Sequence, residues 1–237
     1  MTQRALIFDV DGTLAETEEL HRQAFNRAFD EIGLSWNWGT HVYRDLLRVT
    51  GGKERIRAFM EQTGFAGDLD VAGLHLIKTR IYTELVASGG IAFRPGILGL
   101  INYAIIVGLK LGIATTTSRA NVQALFEGTG EAKALSHFSV ICCGEDVKRK
   151  KPDPEVFLLT LKQLGVDADN CIVIEDSEAG LKAALRAEID TVYITPSIFT
   201  KHHCFDGASE VAEDATALLP FISHFLKSKA QTTSTPG

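Results

Sequence analysis

Short apolar runs alternate with longer segments of helical periodicity along most of the chain. The first run is Ala5–Phe8, and four later segments resemble it: Lys110–Ala114, Phe138–Cys142, 171–174 and 191–194. Apolar runs of this length, bounded by turn residues, are typical of buried strands. Helical patterns lie between the later runs, at 121–126, 155–164 and 179–187. This alternation predicts an α/β fold, a Rossmann-like parallel sheet with helices on both faces.

Residues 16–92 interrupt the alternation. They carry helical patterns at 16–32, 41–47, 53–62 and 71–87, and none of these segments has the character of the strands. The chain is therefore predicted to have two domains. Residues 1–15 and 93–229 form the Rossmann-like core, and residues 16–92 form an inserted, all-helical cap. The polar segment 230–237 is predicted to be a disordered tail.

Residues 96–114 are nearly all apolar, and their number approaches that of a membrane span. Asn102, Lys110 and internal glycines interrupt the stretch. We therefore expect an amphipathic helix, a turn at Gly108 and a buried strand, and no association with a membrane.

Net charge and cysteine content limit the classes of binding partner and the cellular setting. The net charge of −6 over 237 residues disfavours a broad nucleic-acid surface, so an anionic substrate would need local cations. The four cysteines have no metal-binding or redox spacing, which fits a reducing compartment, and we expect the adjacent Cys142 and Cys143 to pack on a buried strand. The expected location is the cytoplasm, or the plastid stroma if a leader has been removed. No interaction domain is recognisable, and a monomer is expected.

The first apolar run ends in the sequence Asp9-Val10-Asp11-Gly12-Thr13. Ligands bind at this end of the strands in open α/β sheets, and two neighbouring acids can divide the roles of ionised nucleophile and protonated acid. A surface turn is the simpler alternative. A calcium loop fails on spacing, because loop positions six and twelve, counted from Asp9, are Leu14 and Leu20.

Three later strand ends also carry polar residues. Thr115, Thr116 and Thr117 follow the second strand, a basic run ending in Lys151 follows the third, and Glu175-Asp176-Ser177 follows the fourth. Free amides and hydroxyls at a helix start favour phosphate, although plain helix capping explains them as well. The acids form a set of hard oxygen donors suited to Mg2+.

The order Asp-x-Asp-Gly-Thr, Thr, Lys-Pro and Glu-Asp, each after a strand, resembles the haloacid dehalogenase-like hydrolase superfamily, in its subgroup with a small helical cap. The resemblance implies that Asp9 is a nucleophile that becomes an aspartyl phosphate. It makes Asp11 the general acid and base, and assigns the transferring phosphoryl group to Thr115 and Lys151. It further implies a Mg2+ site formed by Asp9, Asp176 and the backbone carbonyl of Asp11, with Glu175 as an indirect ligand.

Segments of the predicted cap narrow the resemblance from the superfamily to one family. Residues 9–26, 50–56, 75–80 and 94–97 resemble the CbbY family of xylulose-1,5-bisphosphate phosphatases. This implies a phosphoric monoester hydrolase that removes an inhibitory by-product formed around Rubisco. The implied substrate-binding residues, beside Thr115 to Thr117 and Lys151, are Glu18, Thr50, Gly51, Gly52, Lys53, Glu54, His75 and Lys78.

A bisphosphate needs cations away from the metal, and the cap offers Lys53, Arg55 and Lys78 for that purpose. His21, which shares a helix face with Glu18, is a further candidate for contact with the sugar. The family commonly has Ala-Gly where this chain has Ala187-Glu188, which makes the turn there uncertain. Two alternatives stay open: a mutase of the β-phosphoglucomutase type and a non-catalytic phosphosugar-binding module.

Overall fold

The computed structural model describes residues 3–232, and the side chains of residues 3–228. The described strands form one parallel sheet in the order β3-β2-β1-β4-β5-β6. Their bounds are β1 Ala5–Phe8, β2 Lys110–Ala114, β3 Phe138–Cys142, β4 Cys171–Glu175, β5 Val192–Ile194 and β6 Glu210–Val211. The predicted strands are present, within one residue at each end. β6, a two-residue strand at the edge, was not predicted because it is too short to give a pattern.

The sheet is buried on both faces because successive side chains of a strand point to opposite sides. Leu6 and Phe8 belong to one apolar cluster, whereas Ala5 and Ile7 belong to another. Helices cover both faces: α5 Ile97–Ile106, α6 Arg119–Gly128 and α10 Leu219–Thr232 contribute to the first cluster, and α8 Glu155–Leu164 and α9 Glu178–Arg186 to the second. A short helix, α7 Ala132–Leu135, precedes β3.

The cap consists of α1 Glu18–Glu31, α2 Thr40–Leu46, α3 Gly52–Thr63 and α4 Val71–Ala87. Its interior is a separate apolar cluster rich in aromatic rings, among them Phe25, Trp38, Tyr43 and Tyr82. Buried rings of this size explain how a short insertion forms an interior of its own, since each removes a large apolar area from water.

Two local predictions have different outcomes. The stretch 96–114 is α5, a turn with Gly108 at φ 74° and β2, as expected, and no described helix is long and apolar enough to span a membrane. The predicted disordered tail begins at residue 230, whereas α10 continues through Thr232. Residues 233–237 lie outside the described residues.

The described cysteines are all free. Cys142, Cys143 and Cys171 are buried in the apolar clusters beside the sheet, which confirms the packing role predicted for Cys142 and Cys143, and Cys204 is exposed.

Candidate active site

The carboxyl ends of the central strands open into a cavity of about 430 Å3 that lies between the sheet and the cap. The predicted residues that line it are Asp9, Asp11, Glu18, His21, Thr50, Gly51, Gly52, Arg55, His75, Lys78, Thr115, Thr116, Thr117, Lys151, Glu175 and Asp176. Lys53 and Glu54 do not line it. Lys53 is exposed at the start of α3, and Glu54 is half-buried with its carboxylate next to Gly51.

Lys151 lies at the centre of the core half of the cavity. Its Nζ is 2.6 Å from Oδ1 of Asp9, 2.7 Å from Oε1 of Glu175 and 2.8 Å from the carbonyl oxygen of Ala114. These contacts use all three ammonium protons. Although burial lowers the pKa of Lys151, the charges of the two carboxylates raise it above its usual range. The ammonium is therefore held permanently charged beside Asp9.

Glu175 is fully buried, and both its oxygens are occupied. Oε1 faces Lys151, while Oε2 accepts hydrogen bonds from the backbone N–H groups of Asp176 and Ser177 and from the Ser177 hydroxyl. Gly180 leaves the room that this carboxylate needs, since a Cβ there would overlap it. Glu175 thus orients Lys151 and has little free capacity to bind a metal directly.

Asp9, Glu175 and Asp176 each offer a carboxylate oxygen, and these oxygens lie within 4.8 Å of one another. Burial, opposed in part by Lys151, raises the pKa of Asp9 to about 7. Burial and the charges of Glu175 and Asp9 raise the pKa of Asp176 well above its usual value. Lys151 supplies one positive charge to three buried carboxylates, and hard oxygen donors of this kind match a Mg2+ ion. The residues present therefore fit the expected metal, which the side chains of Asp9 and Asp176 could hold.

Asp11 faces the cap rather than the acid cluster. Its Oδ1 accepts hydrogen bonds from the Thr17 hydroxyl at 2.6 Å and from Nε2 of His21 at 2.9 Å. Nδ1 of His21 is 2.6 Å from Nζ of Lys78, which itself is buried. Since an ammonium only donates, His21 accepts from Lys78 at Nδ1 and donates to Asp11 at Nε2. A continuous hydrogen-bonded chain therefore joins the cap to Asp11.

These hydrogen bonds change the protonation states expected for Asp9 and Asp11. Burial favours the neutral form of Asp11, but the contact with His21, the Thr17 hydroxyl and the charge of Lys78 hold the pKa of Asp11 well below its usual range. The acid predicted to be protonated is thus the more stable carboxylate in this conformation. The prediction considered only the two acids, and the contacts that decide the matter come from α1 and α4.

Arg55 is a fixed cation on the cap side. Its Nε donates to the backbone carbonyls of Leu46 and Val49, and its Nη1 donates to the Tyr43 hydroxyl at 3.0 Å. The Tyr43 hydroxyl in turn donates to Glu18 at 2.7 Å. Both Glu18 and Arg55 line the cavity. The aromatic interior of the cap thereby holds one anionic and one cationic side chain in defined positions.

His75 lies close to Gly52, where a Cβ would meet its ring. Burial, with the nearby charge of Lys78, lowers the pKa of His75 to about 3, so this ring is neutral. Burial, opposed by Asp11, also lowers the pKa of Lys78 to about 7. Gly52 and His75 therefore bring the start of α3 and the side of α4 together at the cavity wall.

The threonines after β2 are arranged as a turn that opens α6. The Thr115 hydroxyl accepts from the backbone N–H of Thr117 at 3.2 Å, and Ser118 caps the helix by accepting from the N–H of Asn121. Helix capping, the simpler alternative, is thus present, and Ser118 provides it. Thr50 on the cap donates to the backbone carbonyl of Lys151, which joins cap and core at the edge of the cavity.

Sequence reasoning missed several residues that shape the site. Thr17 precedes α1, and its hydroxyl binds Asp11 instead of capping the helix. Arg94 donates to the backbone carbonyls of Gly12, Thr195 and Pro196, which fixes the loops around the acids. Thr200, 4% exposed, donates to Oδ2 of Asp176. Only the position of Thr200 after the fifth strand was a signal for it.

Gly12 explains why the loop after β1 needs a glycine. Its φ is 81°, and a Cβ at this position would overlap the carboxylate of Asp176. The left-handed turn therefore lets the loop that carries Asp9 and Asp11 approach Asp176 closely.

Comparison with known proteins agrees with this geometry. A family model described as haloacid dehalogenase-like hydrolase matches residues 6–194. Protein CbbY of Rhodobacter capsulatus is 48% identical over 218 residues, which cover 92% of this chain and 96% of that protein. The likeness extends over cap and core together.

Solved structures give the same result. A mutant of CbbY from Rhodobacter sphaeroides, in complex with xylulose-(1,5)bisphosphate, has a TM-score of 0.87 and 42% identity, and the match covers 92% of this chain and 97% of that one. A β-phosphoglucomutase from Clostridium difficile has a TM-score of 0.80 at 21% identity, with 97% of this chain and 99% of that one covered. At that identity the likeness concerns the fold alone.

Proposed function

Because the chain belongs to the haloacid dehalogenase-like hydrolase family, we propose that it is a Mg2+-dependent sugar-bisphosphate phosphatase that hydrolyses xylulose 1,5-bisphosphate to xylulose 5-phosphate. The observation that supports this proposal is the composition of the cavity. The acid cluster of the core and the buried cations Lys151, Lys78 and Arg55 all line it. A molecule with one anionic group at each end matches that arrangement. Similarity to CbbY, solved with xylulose bisphosphate, supports the choice of sugar.

The reaction proceeds in two displacements. An oxygen of Asp9 attacks phosphorus, the bond between phosphorus and the sugar oxygen breaks, and that oxygen takes a proton from Asp11, which first receives this proton from Lys78 through His21. A water molecule then attacks the aspartyl phosphate and gives a proton to the Asp11 carboxylate, which releases inorganic phosphate and restores Asp9. The contact of Asp11 with His21, and of His21 with Lys78, gives this proton a path within the cap.

Charge compensation is the main requirement, since an anionic carboxylate must approach an anionic phosphoryl group. Lys151 supplies one fixed positive charge beside Asp9. Mg2+, held by Asp9 and Asp176, would supply further positive charge for the phosphoryl oxygens when bound. The Thr115 hydroxyl accepts from the backbone N–H of Thr117 and keeps its own proton to donate to the same oxygens.

The test is phosphate release from xylulose 1,5-bisphosphate, ribulose 1,5-bisphosphate and β-glucose 1-phosphate, each with Mg2+ and with EDTA. We expect the first substrate to be hydrolysed fastest and EDTA to stop release from all of them. Conversion of β-glucose 1-phosphate to glucose 6-phosphate without net release would instead identify a mutase. Tight binding of the bisphosphate with no turnover would identify a binding module.

Arg55→Gln is expected to lower kcat/KM for xylulose 1,5-bisphosphate by roughly 100-fold, because the distal phosphate of the substrate would lose its buried cationic partner. The kcat/KM for xylulose 1-phosphate, which lacks the distal phosphate, should fall much less. Steady-state phosphate release from both substrates gives the comparison.

Lys53→Ala is the matched variant for Arg55→Gln, since Lys53 begins the same helix but its exposed side chain does not line the cavity. We expect it to have the smaller effect on the bisphosphate. A greater loss with Lys53→Ala would mean that this lysine moves into the cavity and holds the distal phosphate, as the sequence resemblance implies.

A further inference from the structure

The turn formed by residues 197–200, after β5, joins the cap to the acid cluster. Phe199 is 6% exposed and belongs to the apolar cluster of the cap, whose other fully buried members all lie between Ala24 and Val86. Its ring meets that of Tyr43 edge to face, with 5.9 Å between centroids and an interplanar angle of 86°. A core residue thus occupies a place in the interior of the cap.

The next residue contacts the acid cluster. The Thr200 hydroxyl is 3.1 Å from Oδ2 of Asp176. It also receives a hydrogen bond from the backbone N–H of Ser197 at 2.8 Å and lies 2.9 Å from the Ser197 hydroxyl. Since a hydroxyl has one proton to donate, Thr200 gives it to Asp176 and accepts from Ser197. Asp176 therefore has an oriented donor at its Oδ2.

The turn is held firmly at its base. Arg94 donates to the carbonyl oxygens of Thr195 and Pro196, and the backbone N–H of Ile198 lies 3.3 Å from the carboxylate oxygens of Glu16. Ser197 and Thr200 are both buried. Phe199 and Thr200 are adjacent in a turn whose backbone is held by these contacts. A movement of Phe199 with the cap therefore moves Thr200 as well.

We propose that this turn couples the seating of the cap to the placement of the Asp176 carboxylate. Phe199 and Thr200 are its positioning residues: Phe199 anchors the turn in the cap, and Thr200 orients the carboxylate. Tyr43, which packs on Phe199, also binds Glu18 and Arg55. The same contact therefore connects the cap side of the cavity with the core side. The inference rests on the proposed role of Asp176 as a metal ligand, but not on the identity of the sugar.

The test is calorimetric titration of the full-length protein with Mg2+, which needs no substrate. Thr200→Val should weaken Mg2+ binding about 10-fold, as is usual when a donor to a metal ligand is lost, and Thr200→Ser should restore it. Phe199→Leu, which keeps much of the apolar volume, should weaken binding several-fold. The double variant Phe199→Leu with Thr200→Val should be no weaker than Thr200→Val alone, because both changes act through one contact.

Ile198→Ala is the control, since this side chain is 64% exposed within the same turn. It should leave Mg2+ binding unchanged. Thermal unfolding followed by circular dichroism verifies that each variant is folded. Wild-type affinity in folded Phe199→Leu would overturn the coupling and leave Thr200 as a local donor. Additive losses in the double variant, or absence of Mg2+ binding by the wild type, would also overturn it. Failure of the sugar specificity alone would leave these results unaffected.

Discussion

Asp9→Asn is expected to lower kcat by at least about 10^4-fold, the scale seen when a catalytic nucleophile is removed. The amide nitrogen and oxygen of asparagine replace the carboxylate almost atom for atom, but the amide does not form the aspartyl phosphate. The side chain can still accept a hydrogen bond from Lys151, which is 2.6 Å from Oδ1 of Asp9. Folding should therefore be retained.

Phosphate release measures the loss, and circular dichroism checks the fold. Asp45→Asn is a suitable control because Asp45 is an exposed acid of the cap, remote from the acid cluster. Wild-type protein, quenched with acid during turnover, should carry one phosphoryl group by mass spectrometry, and Asp9→Asn should carry none. Residual turnover near the wild-type rate would contradict covalent catalysis by Asp9.

The fold was predictable because its main elements leave simple patterns. Buried parallel strands are short apolar runs, and the sequence carries five of them in order. The cap was predictable from the absence of such runs between residues 16 and 92. The two-residue β6 and the last residues of α10 were not, because both depend on the tertiary setting of a short segment.

Glu188 shows what a departure from a family pattern can indicate. It follows α9 and adopts φ 62°, the left-handed conformation that a glycine would occupy without steric cost. The sequence comparison identified the position as unusual, and the backbone shows why. A glutamate there retains the same turn at a local energetic cost.

The site was predictable where a residue ends a strand and unpredictable where two elements meet. Asp9 and Glu175 follow from strand ends alone, since the parallel sheet brings those ends to one edge. The contacts of Thr17 and Thr200 depend on which way the cap and the turn after β5 lie over the acids. Nothing in the local sequence of either threonine distinguishes it from an ordinary turn residue.

The protonation states of Asp9 and Asp11 were the least predictable feature of the site. The pKa of Asp11 depends on its burial and on His21 and Thr17, which come from α1 and the residue before it. Asp9 is also an aspartate and lies only two positions earlier, yet burial raises its pKa. Motif spacing defines which residues are present, whereas the surrounding helices decide which of two acids is the stronger.

Lys151→Met is expected to lower the free energy of unfolding by about 3–5 kcal/mol, because removing one partner of a buried ion pair leaves uncompensated charge. Lys151 is 4% exposed and separates Asp9 from Glu175, so both carboxylates would lose their cation. For a chain of this length the Tm should fall by roughly 10 °C. Urea denaturation in EDTA measures the change without a contribution from bound metal.

Lys150→Met provides the matched control. This neighbouring lysine is half-buried and donates only to the backbone carbonyls of Gly144 and Val147, so its loss should cost about 1 kcal/mol. Adding Glu175→Gln to Lys151→Met should recover part of the lost stability, since it removes one of the two unpaired charges. Equal losses for the two lysine variants, or no recovery in the double variant, would mean that packing of the lysine stem, and not charge pairing, stabilises this part of the core.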